Sequence, residues 1–213
     1  MIVWLVALSL VLAGVAEAST ISALVRDQRN EPVADAVVVA LPRGGVPSVP
    51  ARTGRETVDQ VDKEFIPYVT AVLVGSPVYF PNRDNIRHHV YSFSAAKTFE
   101  LPLYSGTPAK PIVFDRPGVV TLGCNIHDWM LGYIYVAPTP YFATTRQGRV
   151  KLDDLPVGTY TARVWHPRME GSEEGTAKAV TVGNGATEVV WQLTLKEDLR
   201  PRRAPVPGQR GYR

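Results

Sequence analysis

The chain has 213 residues, of which 45% are hydrophobic, and a formal net charge of +3. Five of its arginines lie in residues 199–213, a stretch without acids, and without them the formal charge is −2. The remainder is near neutral and lacks the basic footprint of a nucleic-acid-binding domain, so no nucleic-acid partner is expected. The proline- and arginine-rich tail at 199–213 has the composition of a disordered segment.

The first residues have the pattern of an export signal. An apolar run over residues 2–16 leads into Ala16-Glu17-Ala18, an A-x-A cleavage signal, with cutting expected before Ser19. The run is shorter than the roughly 20 residues that a spanning helix needs. Because no Lys or Arg precedes it, a retained anchor is the alternative. We predict a signal peptide at 1–18 and a periplasmic or secreted mature protein without a membrane span.

The composition favours strands over helices. Val, Thr, Tyr, Gly and Pro are frequent, and long segments with a 3.6-residue hydrophobic period are missing. Residues 20–41 are predicted to form two strands around a polar turn at 27–32. The following Gly-, Pro- and Arg-rich stretch, residues 42–57, is typical of a linker. From residue 59 to 137, short apolar runs alternate with turn residues at the spacing of a sandwich or barrel.

Strand pairs like the first one return after residue 140. Residues 148–167 predict two strands joined by a Leu-Pro-Val-Gly turn, and residues 177–195 predict a hairpin around Gly-Asn-Gly. Two strands alone bury too little apolar surface to be stable. We therefore expect residues 19–56 and 141–197 to form one split sandwich, with a second domain of 59–138 inserted at a surface loop. Two tandem domains are the competing arrangement.

The outer segments carry a resemblance of their own. The stretches "VRDQRNEPVADAVVVAL" and "GRVKLDDLPVGTYTARVWHP" resemble the opening and closing strands of carboxypeptidase-regulatory-like, transthyretin-like sandwiches. This likeness implies a fold but no chemistry, because one fold hosts many functions.

The single cysteine lies in a ligand-rich stretch, "GVVTLGCNIHDWMLGYIYV". One cysteine in an exported protein excludes an internal disulfide framework, and an exposed thiol would be oxidised. Cys124, His127 and Met130 are spaced C-x2-H-x2-M between two apolar runs. A thiolate, two imidazoles and a weak axial thioether define a blue-copper site, so a second histidine is needed. His88 and His89 are the upstream candidates. Because adjacent side chains of a strand point to opposite faces, only one of the two can face the core.

The segments "VLVGSPVYFPNRDNIRHHVYSF" and "RPGVVTLGCNIHDWMLGYIYV" closely resemble the cupredoxins of the plastocyanin and amicyanin type. The resemblance implies an all-β chain of two antiparallel β-sandwich domains, a cupredoxin-like Greek-key sandwich inserted in the split carboxypeptidase-regulatory-like one. It assigns the metal ligands of one type 1 copper to His88, Cys124, His127 and Met130. His89 stands where these families often have Asn and is the alternative ligand. The combination also resembles exported bacterial proteins labelled methylamine-utilisation proteins.

The favoured function is one-electron transfer to redox partners that dock near the edge of His127. Ile126 and Trp129 are then either an apolar docking surface or packing between the domains. Copper enzymes are disfavoured because multicopper oxidases and copper nitrite reductases carry a histidine beside the cysteine, where this chain has Gly123 and Asn125. The alternatives are a periplasmic copper chaperone or buffer, and a sandwich interaction module in which copper is incidental.

Overall fold

The computed structural model describes residues 19–45 and 55–199. The predicted signal peptide, part of the linker and all but the first residue of the predicted tail lie outside the described residues. The prediction of an all-β chain is confirmed, since the described residues form strands and one short 3-10 turn, Glu174–Thr176. No helix within these two ranges is long and apolar enough to cross a bilayer.

The strands are numbered in chain order. They are β1 (Thr20–Asp27), β2 (Val37–Pro42), β3 (Glu56–Thr57), β4 (Asp59–Val61), β5 (Glu64–Ile66), β6 (Val69–Leu73), β7 (Ser76–Tyr79), β8 (His88–Ser94), β9 (Lys97–Tyr104), β10 (Ile112–Phe114), β11 (Gly118–Gly123), β12 (Leu131–Ala137), β13 (Phe142–Thr144), β14 (Arg149–Leu152), β15 (Gly158–Trp165), β16 (Lys178–Val182) and β17 (Ala186–Leu193).

Two sheets are built from the outer segments of the chain. One has the order β14-β1-β17 and the other β13-β2-β15-β16. Their inward-facing side chains share one buried cluster that includes Ile21, Val25, Val38, Val164 and Trp191. The N-terminal strands thus complete a core with strands from the C-terminal part of the chain.

Two further sheets and a hairpin are built from the middle of the chain. The five-stranded sheet has the order β6-β12-β11-β8-β9, the three-stranded sheet β10-β7-β3, and β4 pairs with β5. Their common core contains Phe80, Val90, Phe114 and Ile134 together with Cys124. The cysteine therefore belongs to the core of the middle sheets.

Two strands are buried on both faces and join these two cores. Val38 and Ala40 of β2 face the outer core, whereas Val37 and Val39 pack in a third cluster. That cluster also contains Tyr135 of β12, whose neighbouring side chains on the strand point into the middle core. Because successive side chains point to opposite faces, a strand covered on both sides is a continuous apolar run.

The predicted hairpin around Gly-Asn-Gly is wrong. β16 pairs with β15 in one outer sheet, whereas β17 pairs with β1, in parallel, in the other. Residues 183–185 therefore cross from one sheet to the other. The reason lies in burial, since Val180 and Val182 reach the same core as Val189 and Trp191. Two adjacent strands can cover one core from opposite sides only if the chain crosses between the sheets.

Candidate metal centre

Three of the predicted ligands lie in the short loop between β11 and β12. Gly123 ends β11, Leu131 begins β12, and the ladder between the two strands holds both ends of the loop. The backbone N–H of Met130 donates to the carbonyl of His127 at 2.9 Å, which tightens the loop. The sequence places Cys124, His127 and Met130 so close along the chain that this turn can direct all three inward.

The fourth predicted ligand is supplied by the first residue of β8. His88 is completely buried. The adjacent His89 points to the other face, where its Nε2 lies 2.9 Å from Glu100 and its ring packs against Tyr91. The structure thus brings His88, and not His89, to the cysteine, the arrangement that the cupredoxin resemblance favours.

The side chains of His88, Cys124 and His127 converge on one point. The Sγ atom of Cys124 lies 3.9 Å from Nδ1 of His88 and 3.9 Å from Nδ1 of His127. One ligand atom from each residue lies within 4.8 Å of the others, and all three residues are buried. Met130 is 2% exposed and belongs to the same core cluster as Cys124.

This donor set fits copper. Metal–sulfur and metal–imidazole bonds of about 2.3 and 2.0 Å together exceed the 3.9 Å between sulfur and nitrogen, so one ion can reach both atoms. Two imidazoles with a thiolate and a thioether suit an ion that alternates between soft Cu(I) and harder Cu(II). Burial also shields the thiol of Cys124 from oxidation.

A carboxylate from the Asn-Arg-Asp stretch upstream of the two histidines, that of Asp84, lies behind His88. Oδ2 of Asp84 is 2.7 Å from Nε2 of His88, on the side of the ring away from the cysteine. Burial raises the pKa of Asp84, but hydrogen bonds from His88 and from the backbone of Lys63 and Asp62 outweigh it, so the pKa is lowered. The available signal was an acid four residues before the candidate histidine.

Tyr104 and Gln60 form a polar group near the site. Tyr104 is the partner of His88 in the β8–β9 ladder. Its hydroxyl donates to the carbonyl of Phe80 at 2.7 Å and accepts from the side-chain amide of Gln60. Burial and the charge of a Cys124 thiolate raise the pKa of Tyr104 to about 12, although the Gln60 hydrogen bond opposes this shift. The phenol is therefore neutral at ordinary pH.

Two apolar side chains of the ligand loop are exposed on the surface. Ile126 and Trp129 are 48% and 45% exposed, whereas His127 is 7% exposed. The indole of Trp129 lies beside the imidazole of His127, with ring centroids 5.2 Å apart. Of the two sequence-based alternatives for these side chains, this exposure favours a surface role over packing between the sandwiches.

Two glycines flank the loop where neighbouring side chains approach the backbone. A Cβ atom at Gly123 would lie 2.7 Å from Cζ of Tyr91, and one at Gly132 would lie 2.8 Å from Cβ of Phe65. The glycines in "LGC" and "MLG" thus allow aromatic residues to cover both ends of the loop.

Comparison with protein-family models and with curated proteins finds no match. Among solved structures, a copper-containing nitrite reductase from Thermus scotoductus SA-01 is 27% identical, with a TM-score of 0.37, over 45% of this chain and 26% of that chain. This chain therefore spans about a quarter of the nitrite reductase. A purple cupredoxin from Nitrosopumilus maritimus is 21% identical, with a TM-score of 0.34, over 38% of this chain and 99% of that chain. An oxidised amicyanin variant is 18% identical, with a TM-score of 0.36, over 48% of this chain and 98% of that chain.

The middle of the chain is a β-sandwich whose core contains the cysteine. The upstream histidine and the C-x2-H-x2-M loop meet beside that cysteine, as the resemblance to cupredoxins implies.

Proposed function

We propose that the protein is an exported type 1 copper protein that carries single electrons between redox partners. The observation that supports this most directly is the convergence of one buried thiol and two buried imidazole nitrogens. Copper bound there would supply a one-electron couple between Cu(I) and Cu(II).

The residues that would hold the copper are His88, Cys124, His127 and Met130, with Met130 supplying a thioether. Cys124 supplies the thiolate and the two histidines supply Nδ1 atoms. The β11–β12 ladder holds both ends of the loop, and His88 is fixed within β8. A frame of this kind keeps the ligand positions the same in both oxidation states, which favours fast electron transfer.

We assign the protein to electron carriers and not to copper enzymes. The residues beside Cys124 are Gly123 and Asn125, neither of which could pass an electron to a second copper ion. The exposed side chain of Trp129 lies against the ring of His127. Redox partners would therefore dock over Trp129 and Ile126.

The proposal includes export and a two-domain organisation. Cleavage before Ser19 would release the protein into the periplasm or the medium. The division into a split outer sandwich, 19–56 with 141–197, and an inserted copper domain, 59–138, is supported by the separate outer and middle cores.

Copper reconstitution of histidine and cysteine variants tests the proposed site. The wild type with one equivalent of Cu(II) should show an intense thiolate-to-copper absorption in the visible range. Cys124→Ser and His88→Gln should lose it. His89→Gln is the matched control and should keep it, because His89 points away from the cluster. A colourless wild type, or zinc retained in preference to copper, would contradict the proposal.

Redox cycling separates an electron carrier from a copper buffer. The copper-loaded protein should be reduced and reoxidised repeatedly without losing metal, and its electron self-exchange should be fast. A site that releases copper on each reduction would instead indicate storage or delivery.

A further inference from the structure

We propose that Asp84 is a positioning residue of this copper site: it orients the ring of His88 and, through its negative charge, favours the oxidised metal. The inference rests on the proposed function, since it concerns the same site. The role of Asp84 follows from the contacts around its carboxylate.

The first contact is with the ring of His88. Nε2 lies 2.7 Å from Oδ2 of Asp84, while Nδ1 of the same ring faces Cys124. A hydrogen bond from Nε2–H to the carboxylate leaves the proton on Nε2 and the lone pair on Nδ1. This is the tautomer that the arrangement of the cluster requires, and such outer partners are known to fix ring orientation and raise ligand basicity.

The carboxylate is itself held in place by the tip of a hairpin. Between β4 and β5 the chain turns at Asp62 and Lys63, whose φ angles are 53° and 63°. In this left-handed conformation the two backbone N–H groups donate to Asp84, at 2.7 Å to Oδ1 and 2.9 Å to Oδ2. Both carboxylate oxygens therefore have fixed donors.

The backbone at Asp84 is also held. Oδ1 of Asn82 accepts the N–H of Asp84 at 3.0 Å, and the side-chain amide of Asn82 donates to the carbonyls of Ile86 and Tyr104 at 2.8 and 2.9 Å. The side chain of Asp84 is only 12% exposed. A carboxylate with so little access to solvent is less screened than a surface charge, so its field reaches the metal position.

The sign of its effect follows from charge. A negative group hydrogen-bonded to a ligand ring increases electron donation from that ring, which stabilises Cu(II) more than Cu(I). Asp84 should therefore lower the reduction potential of the site.

The neighbouring histidine offers a matched comparison. Nε2 of His89 also contacts a carboxylate, Glu100, at 2.9 Å, but that side chain is 68% exposed and its histidine lies outside the cluster. Glu100→Gln removes the same charge from a similar contact without touching a ligand. It controls for a general change in net charge.

The test is a redox titration of three copper-loaded proteins. Asp84→Asn should raise the midpoint potential, with the ratio of Cu(I) to Cu(II) affinity increasing about tenfold, which is 59 mV for one electron. Glu100→Gln should change that ratio far less. Equal shifts in the two variants, or no shift in Asp84→Asn, would overturn the inference while the wild-type copper site stands. A wild type that binds no copper would overturn the proposed function first.

A second measurement does not depend on the variant folding. In the diamagnetic Cu(I) form of the wild type, the Nε2 proton of His88 should give a downfield NMR signal that exchanges slowly with solvent. The Nε2 proton of His127 provides the internal comparison. A His88 ring whose proton exchanges freely, or is bound to Nδ1, would overturn the inference.

Discussion

The two glycines that flank the ligand loop lie next to atoms that differ in how easily they can move. At Gly123 the nearest neighbour is the far end of the Tyr91 ring, and Tyr91 is only partly buried. At Gly132 the nearest neighbour is Cβ of Phe65, a residue 2% exposed. A ring end can swing outward, whereas a Cβ atom moves only with its backbone.

Gly132→Ala should therefore destabilise the protein more than Gly123→Ala. Overpacking typically costs about 1–3 kcal/mol, and we expect Gly132→Ala near the upper end and Gly123→Ala near the lower end. Urea denaturation of both variants measures the difference. Combining Gly123→Ala with Tyr91→Ala should remove most of its cost, and equal costs for the two single variants would contradict the packing described here.

Residue spacing explains which parts of the site were predictable. Cys124, His127 and Met130 occupy one loop, so local sequence displays them together. The choice between His88 and His89 depends on which face of β8 meets the core, and that requires the partner strands. Asp84 lies four residues before His88, but its contact with the ring depends on support from the tip of the β4–β5 hairpin. The spacing of the two residues does not show this support.

At the scale of elements, β12 links the ligand loop to the middle core and to the third cluster, which β2 shares. Ile134 and Val136 face the middle core, and Tyr135 and Ala137 face the cluster shared with the outer sheets. The short apolar runs between residues 59 and 137 predict a sandwich or barrel, and the structure has strands β4 to β12 there, because apolar runs and turns are local signals. The turn sequence at 183–185 predicts a hairpin where the chain crosses between sheets, because burial decides which sheet a strand joins and a turn sequence does not encode burial.

Truncation of a β12 side chain should be costly. Ile134→Ala removes a completely buried side chain from the middle core, and such changes cost about 2–5 kcal/mol. Thr121→Ala, on the adjacent β11, is the control, because Thr121 is exposed and its ladder contacts use the backbone. The unfolding free energy from denaturant titration distinguishes them, and a loss below about 1 kcal/mol for Ile134→Ala would contradict the tight packing of β12.

At the scale of the whole molecule, a polar contact joins the middle sheet to the outer segment. The hydroxyl of Tyr135 donates to Oε1 of Glu173 at 2.6 Å, and Trp165 of β15 packs against Tyr133 and Tyr135. Burial raises the pKa of Glu173; the Tyr135 hydrogen bond opposes this, while the charge of Glu174 adds to it. Burial and the Glu173 charge raise the pKa of Tyr135 as well, so the phenol keeps its proton and remains the donor.

This contact predicts a pH-dependent stability. Because the pKa of Glu173 is higher in the folded than in the unfolded protein, the folded state binds more protons in the window above the ordinary value of 4.5. The unfolding free energy of the wild type should therefore fall as pH rises through that window and stay lower above it. Glu173→Gln does not ionise and should escape this loss. Denaturation of both proteins between about pH 4 and pH 7 measures it, and parallel curves would contradict the buried contact.

The separation of His88 from the loop has a consequence for the lifetime of the protein. His88 and Cys124 are 36 positions apart in the chain, so the cluster exists only while the middle sheets are folded. An ion held there binds the folded form more tightly than the unfolded chain and shifts the folding equilibrium, by at most about 4.1 kcal/mol when free metal exceeds its dissociation constant a thousandfold. Under the proposed function, molecules that are exported without metal would unfold and be degraded sooner than loaded ones. The amount of protein that persists outside the cytoplasm would then track the supply of copper, without any separate sensor.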